Sequence, residues 1–301
     1  MRKKCRISTG VLVMILAGIG GFFYADSSLK PVEKIINTAK NIEENNLNER
    51  IKVKSQDELG RLASTLNPMI SRLEKAFEQQ KQFTADVSHD LRTPLSVIQA
   101  ESSLLLKKDR SIEEYKKSLE SILEETSYMS EIIDKLLFLA RSDNKTQFYN
   151  FTKTNLRSLL EEVIKKVSPL YHNKGLTLQV EKLEKLNILA DKDKLKEAII
   201  NILDNSLKYT DKGKVTISSV KISNFAKISI KDTGRGIPQE DSHRIFDRFY
   251  RGDKARTSSE KSTGLGLAIV KEIVNAHNGR IEVESEVRKG TVFSLFLPIE
   301  K

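Results

Sequence analysis

Residues 88–95 read SHDLRTPL, a histidine backed by a carboxylate, with a proline five positions on. Upstream, Leu59, Leu62, Leu66, Met69, Leu73 and Ala76 alternate steps of three and four, the spacing of a heptad seam. Phe83 and Val87 carry the seam past Gln80, so one helix is expected to run into the octapeptide. Counted from Leu59 as position a, His89 falls at c and points to solvent. Asp90 can hydrogen-bond the imidazole and hold one ring nitrogen ready as a nucleophile. Pro94 has no N–H to donate, which frees the Asp90 carbonyl and lets the helix bend beside His89. Downstream, Tyr115, Leu119, Ile122, Thr126, Met129, Ile133, Leu136 and Ala140 repeat the helical spacing. The two helices, joined by LKKDRS, carry more apolar stripe than one hairpin can cover. That predicts a dimeric four-helix bundle.

Residues 146–301 read as mixed α/β. Helical patterns over 156–167 and 191–208 alternate with strand-like runs KVTISSVKI, AKISIKD, IEVES and TVFSLFL. Four features here share one chemistry. Asn201 and Asn205 lie four apart on one helix face and offer amide oxygens to a Mg2+ held between protein and phosphates. Lys208 follows one turn on and can neutralise a phosphate oxygen. In DTGRGI, Asp232 can accept from an adenine amino group, while Gly234 and Gly236 let the backbone come close. In STGLGLAIV, Gly264 and Gly266 open a helix whose free N–H groups and dipole attract phosphate. Each feature alone is weak; in this order they point to ATP.

The SHDLRTPL hairpin resembles the dimerisation and phosphoacceptor domain of two-component sensor histidine kinases, where Glu is the more usual residue at the Asp90 position. The resemblance implies phosphorylation of His89, Asp90 as general base, and Thr93 orienting a water that hydrolyses the phosphorylated response regulator. Residues 146–301 resemble the Bergerat-type ATP-binding fold, an α/β sandwich shared by histidine kinases and several ATPases. This adds Tyr209, Ile237, Arg248, Thr263, Leu265 and Leu267 to the implied nucleotide set. The stretch RIFDRFYRG resembles the kinase F box, with Phe246 and Phe249 anchoring a lid over residues 253–263. Arg248, Arg251, Lys254, Arg256 and Lys261 would line that lid, and Lys261-Ser262 stand where the family often has glycines. ATPases of the superfamily carry a glutamate where this chain has Asn201. An amide cannot serve as a base, so transfer to His89 is expected in place of hydrolysis. A plain ATPase of this fold and a signalling scaffold with weak kinase activity are the alternatives.

Ile7 to Ala25 is a run of 19 residues without a charge. At about 1.5 Å per residue it matches the hydrocarbon thickness of a bilayer, which predicts one transmembrane helix. A cleaved signal peptide is the rival behind MRKKCR, but the run is long for one and no A-x-A-like site follows. Four basic residues precede the run, and Lys30, Lys34 and Lys40 follow it, a balance that would keep the N-terminus inside. An ATP site requires the C-terminal part in the cytoplasm instead, so a single-pass anchor in the inner, cytoplasmic membrane is expected. Pro31 then leads Val32, Ile35, Ile36, Ala39 and Ile42 at helical spacing. The connector NNLNERIKVKSQ follows, Asp57-Glu58 open the next helix, and Pro68 is expected to kink it. This arrangement resembles a HAMP domain over 26–78, which implies a parallel, dimeric helical relay. The expected organisation is an anchor in 1–25, HAMP in 26–78, phosphoacceptor hairpin in 79–145 and ATP-binding domain in 146–301. The stretch between Ala25 and Pro31 leaves no room for an extracellular sensor, so the resemblance is to a sensor kinase without one.

The net charge of +10 over 301 residues divides as +4 in 1–25, +1 in 26–82, −3 in 83–145 and +8 in 146–301. The excess therefore sits beside the membrane segment and in the domain expected to hold a polyphosphate. A nucleic-acid surface would interleave basic residues with aromatics, yet Trp is absent and aromatics are 6%. Cys5 is the single cysteine, which excludes an intrachain disulfide framework and a Cys-rich zinc site. His172 and His243 have no ligand set around them, and His277 reads as a helix-end residue before a strand. The expected partners are a second copy, a response regulator and the membrane.

Overall fold

The computed structural model describes residues 14, 16, 18, 19, 21, 29, 30, 32, 33, 35–38, 48–52, 58–144, 146–252 and 263–300. Cys5, Pro31, Asp57, most of the expected membrane segment and lid residues Lys254, Arg256, Lys261 and Ser262 lie outside these. Among the described residues no helix is long and apolar enough to cross a membrane. The chain divides into two units, Met1–Asp86 and Val87–Lys301.

In the first unit Ile35, Ile51, Ala63 and Ile70 form a buried cluster, with Leu59 and Leu66 packed against it. Residues 59, 63, 66 and 70 step by four, three and four, so one stripe of the helix faces the cluster. The connector NNLNERIKVKSQ, though mostly polar, contributes Ile51 to this core. Asn67 pins it from both sides: the Ile51 N–H donates to Asn67 Oδ1 at 2.9 Å, and Asn67 Nδ2 donates to the Ile51 carbonyl at 3.1 Å. Helix α1 (Glu58–Lys107) runs 50 residues as one unbroken helix, through both Pro68 and Pro94.

In the second unit α1 turns into α2 (Ile112–Asp143) at a four-residue loop closed by a capping box. Ser111 accepts from the Glu114 N–H, and the Glu114 side chain accepts from the Ser111 N–H, satisfying two otherwise orphan donors. Those hydrogen bonds hold the Glu114 carboxyl below its ordinary pKa. Glu101 accepts from the Ser118 hydroxyl at 2.7 Å and sets the register between the two helices. Leu95, Leu104, Leu119, Leu123, Ile133 and Leu137 stay exposed on this hairpin.

Beyond it follow β1 (Thr152–Asn155), α3 (Leu156–Lys174), β2 (Thr177–Leu183), β3 (Asn187–Ala190), α4 (Lys192–Tyr209), β4 (Lys214–Ile222), β5 (Phe225–Asp232), α5 (Gly266–Ala276), β6 (Arg280–Glu286) and β7 (Gly290–Pro298). The main sheet has the order β2-β4-β5-β7-β6. Only the β2–β4 pair is parallel among its ladders. On β5 the buried residues alternate, Ala226, Ile228, Ile230 and Asp232, so one face of the sheet is covered and the other half-open. Leu159, Val163, Leu195, Ile199, Ile202, Ile269 and Ile273 from α3, α4 and α5 are fully or nearly fully buried, giving two layers.

The small β1–β3 ladder launches two helices. Asn155 at the end of β1 caps α3 by accepting from the Ser158 N–H, and Asp191 after β3 caps α4 by accepting from the Lys194 N–H. The sequence pattern stops the first of these helices at Val167, before Ser168-Pro169. It runs on to Lys174 because Tyr171 is buried beyond the proline and its hydroxyl donates to the Leu203 carbonyl at 2.7 Å.

His277 ends α5, as its position before a strand suggests, and is buried. Nδ1 donates to the Ile273 carbonyl at 2.7 Å, and Nε2 accepts from the Asp191 N–H at 3.0 Å. Phe151 and Tyr149 meet its ring edge-on. Burial pushes the imidazole pKa below 6.5, and the nearby Asp191 carboxylate partly opposes this. The folded chain therefore prefers the neutral ring, while the unfolded chain takes up a proton near 6.5. The stability contributed is complete above that value and falls as the pH drops below it. Urea unfolding followed by circular dichroism should lose stability on acidification in a way that His277→Leu does not. Equal losses in both would exclude His277 as the source.

Candidate active site

α4 presents Asn201, Asn205 and Lys208 at positions i, i+4 and i+7, along one wall of a cavity of about 660 Å³. Asn201 Nδ2 is buried and makes no hydrogen bond among the described residues. Such an orphan is costly unless a ligand completes the site. Tyr209, at the end of α4, carries the Arg235 guanidinium 4.2 Å above its ring, and its carbonyl accepts from the Arg235 N–H.

The loop after β5 supplies the second wall. Asp232 is buried, and its Oδ1 accepts from the Gly234 N–H at 2.9 Å and the Thr291 N–H at 3.1 Å. Burial pushes the carboxyl pKa up, and these two bonds pull it back. Gly236, at φ +71°, lies against the Glu286 carbonyl where any Cβ would collide. The Arg288 N–H donates to the Arg235 carbonyl at 2.8 Å, and the Ile237 N–H donates to Ser285 Oγ at 2.8 Å. The turn between β6 and β7 thus clamps this loop.

The third wall is the start of α5. Gly264 has φ +65°, and a Cβ there would come within 2.7 Å of the Phe249 backbone, whose N–H donates to the Gly264 carbonyl. Thr263 Oγ1 accepts from the Leu265 N–H. Among the described residues no side chain caps the helix itself, so its first N–H groups, at Gly266 and Leu267, suit an anion. The donor set of amide oxygens, lysine and open helix end fits a magnesium–triphosphate.

Asn201, Asn205, Lys208, Tyr209, Asp232, Gly236, Ile237, Thr263, Gly264, Gly266 and Leu267 thus meet around one cavity. Three residues of the implied set do not line it. Gly234 packs behind it on the Tyr209 carbonyl, and Leu265 is fully buried. The Arg248 guanidinium grips Asp143 at the end of α2 through two bonds of 2.8 and 2.6 Å. Phe249 is buried, and Phe246 is half-buried under the Lys271 ammonium. Conversely, Tyr128, Glu131 and Lys135 of α2 line the cavity without having been singled out. Tyr128 sits beside Met129 but off the apolar seam, and only the tertiary packing reveals it.

His89 projects from α1 with its side chain 82% exposed and Nδ1 3.5 Å from Asp90 Oδ1. Thr93 lies one turn on, its hydroxyl donating to the His89 carbonyl at 3.4 Å.

Comparison with known proteins agrees with this geometry. Residues 190–301 match the family of histidine kinase-, DNA gyrase B- and HSP90-like ATPases. Residues 79–145 match the His Kinase A phospho-acceptor domain, and residues 23–75 the HAMP domain. The probable sensor kinase SilS of Salmonella typhimurium is 35% identical over 301 residues, 98% of this chain and 60% of its own length. Sensor protein IrlS of Burkholderia pseudomallei is 33% identical over 290 residues, 96% of this chain and 62% of its own. The chain therefore spans about three fifths of the curated relatives it matches. Among solved structures, full-length ShkA in complex with AMPPNP aligns at TM-score 0.57 and 26% identity, covering 73% of this chain and 46% of that one. Histidine kinase ThkA, in complex with response regulator protein TrrA, shares the fold at TM-score 0.59 and 24% identity, covering 76% and 66%.

Proposed function

The chain belongs to the HAMP-containing sensor histidine kinases, and from that membership we propose that it transfers the γ-phosphoryl of ATP to His89 and then to an aspartate of a response regulator. The observation that carries the reading is the pairing, within one unit, of an exposed imidazole facing a carboxylate with a cavity built for a triphosphate. Asp90 holds the Nδ1 proton, which leaves the Nε2 lone pair free to attack the γ-phosphorus as the bond to the departing ADP breaks. The base end is read by Asp232, with Tyr209 and Ile237 beside it. Lys208, Thr263, Gly264, Gly266 and Leu267 serve the phosphates, and Arg248 joins them once released from Asp143. A magnesium ion held by the Asn201 and Asn205 amide oxygens would supply positive charge to the phosphate oxygens.

Three further assignments belong to this reading. Thr93 orients the water that dephosphorylates the regulator after its hydroxyl turns away from the His89 carbonyl. The exposed leucines of the α1–α2 hairpin pair with a second copy, since apolar area of this kind is buried in dimers. Residues 7–25 anchor the chain in the cytoplasmic membrane with the kinase domains inside, in keeping with the HAMP match and the sensor relatives. The regulator partner is supported by the ThkA complex, whose partner is a response regulator.

Incubation with magnesium and γ-labelled ATP tests the proposal. Acid-labile, alkali-stable label on the chain is expected. Phosphate release without protein label would favour a plain ATPase, and nucleotide binding with neither would favour a scaffold.

A further inference from the structure

We infer that Ser206 is a further nucleotide-binding residue: its hydroxyl donates to a ring nitrogen of the adenine, beside the amino group that Asp232 accepts from. The inference rests on the ATP-site reading above and deepens it.

The place of Ser206 on α4 is the first observation. Leu195, Ala198, Ile199, Ile202 and Leu203 form the buried stripe of that helix, and Ser206 is its next member. The periodicity asks for an apolar side chain there, yet the chain supplies a hydroxyl. Ser206 is 1% exposed and lines the same cavity as Asp232. It stands about 100° around the helix from Asn205, so it leaves the Asn201–Asn205–Lys208 wall and belongs to the core side of the cavity. The main sheet's own contributions there are Asp232 from β5 and Thr291 and Phe293 from β7. One turn beyond Ser206, Thr210 Oγ1 and Asp232 Oδ1 both fall within 3.0 Å of the point where a Gly234 Cβ would stand. The end of α4 therefore abuts the surroundings of the carboxylate.

The hydrogen bonding of the hydroxyl is the second. Ser96, Ser127 and Ser168, also within helices, each donate to the carbonyl one turn back, at 2.9, 2.8 and 2.7 Å. Ser206 Oγ is buried and has no partner among the described residues, the Ile202 carbonyl included. A hydroxyl withheld from water and from its own helix is costly, and a polar ligand in the cavity satisfies it. Thr210 is buried and unpartnered among the described residues as well, but it does not line the cavity and packs behind Gly234. Asp232 commits Oδ1 to the Gly234 and Thr291 N–H groups, which leaves Oδ2 to accept from the base. Adenine presents an amino donor flanked by acceptor nitrogens, so a carboxylate and a hydroxyl in one pocket match it donor to acceptor. Guanine presents a carbonyl oxygen in place of that amino group and meets the carboxylate with the wrong sign. No bond is made or broken by Ser206.

The test compares the full chain with Ser206→Ala by equilibrium binding of ATP and of two analogues, 1-deaza-ATP and 7-deaza-ATP, in which carbon replaces one or the other flanking nitrogen. Ser206→Ala should bind ATP about three- to tenfold more weakly, the scale of one neutral hydrogen bond. One of the two analogues should show the same loss on the unsubstituted chain and no further loss on Ser206→Ala, because the partner is already gone. The nucleotide-free melting temperature should hold or rise, since alanine removes an unpaired buried hydroxyl and is the better helix former. Unchanged ATP affinity in Ser206→Ala would overturn the inference, as would analogues that stand in the same ratio to ATP on both chains. A lower melting temperature with unaltered binding would make the hydroxyl structural and overturn it too. An unsubstituted chain that binds no ATP sinks the ATP-site reading and this inference together. A chain that shows the analogue coupling yet takes up no label on His89 sinks the transfer reading alone.

Discussion

His89→Gln is expected to reduce covalent label from γ-labelled ATP to the background of the assay. Glutamine has an amide nitrogen whose lone pair is delocalised and cannot attack phosphorus, so the loss should be complete and not graded. The substitution should cost nothing elsewhere. The His89 side chain is 82% exposed, and glutamine is a good helix former, so α1 loses no packing and little propensity. ATP affinity and the circular dichroism spectrum should match those of the unsubstituted chain. That contrast separates a missing acceptor from a damaged fold. Label persisting on His89→Gln would move the acceptor to another residue, and His172 and His243, both exposed, would be the next to replace.

The second large effect is expected at Asp232, where asparagine is nearly isosteric. Its Oδ1 can still accept from the Gly234 and Thr291 N–H groups, so the loop after β5 keeps both bonds. Replacing a buried carboxylate by a neutral amide also removes a desolvation cost, so the melting temperature should hold or rise. The remaining position changes from acceptor to donor. An adenine amino group would then face an amide N–H, leaving two buried donors unpaired at roughly 1–3 kcal/mol. ATP affinity should fall about 10- to 100-fold by equilibrium binding. Inosine triphosphate carries an acceptor in place of the amino group, so Asp232→Asn should discriminate far less against it. Unchanged ATP affinity, or a parallel loss for both nucleotides, would remove Asp232 from base recognition.

Much of the framework is legible from periodicity and turn chemistry. The runs KVTISSVKI and AKISIKD coincide closely with β4 and β5: β5 alternates buried and half-exposed residues over a one-sided core, and β4 carries the β-branched run Val215-Thr216-Ile217, all buried. The elements that escape such reading are those whose pattern is set by something other than a core. β1 and β3 are four residues each and exist to pair with one another and cap two helices. β2 lies at the sheet edge and is mostly exposed, so its charged residues mask its strand character. Pro169 mimics a helix end, which only the burial of Tyr171 overrides. Within the cavity, the residues carried by glycine-rich motifs announce themselves. Tyr128, Glu131 and Lys135 do not, because they arrive from a helix more than sixty positions upstream. Arg248 shows the reverse case. Its motif suggests a phosphate contact, yet a carboxylate 105 residues away holds it.

The clamp between the β5 loop and the β6–β7 turn has a consequence for how the site can vary. Glu286 backs Gly236, Arg288 bonds Arg235, and Thr291 bonds Asp232, so three separate contacts depend on the spacing of Val287 to Lys289. Adding or deleting one residue there would rotate every later side chain of β7 to the opposite face and release all of these contacts together. Point substitutions on the exposed side of the turn should be tolerated, while changes in its length should not. The number of residues in that hairpin is thus as much a part of the proposed base recognition as the carboxylate assigned to it.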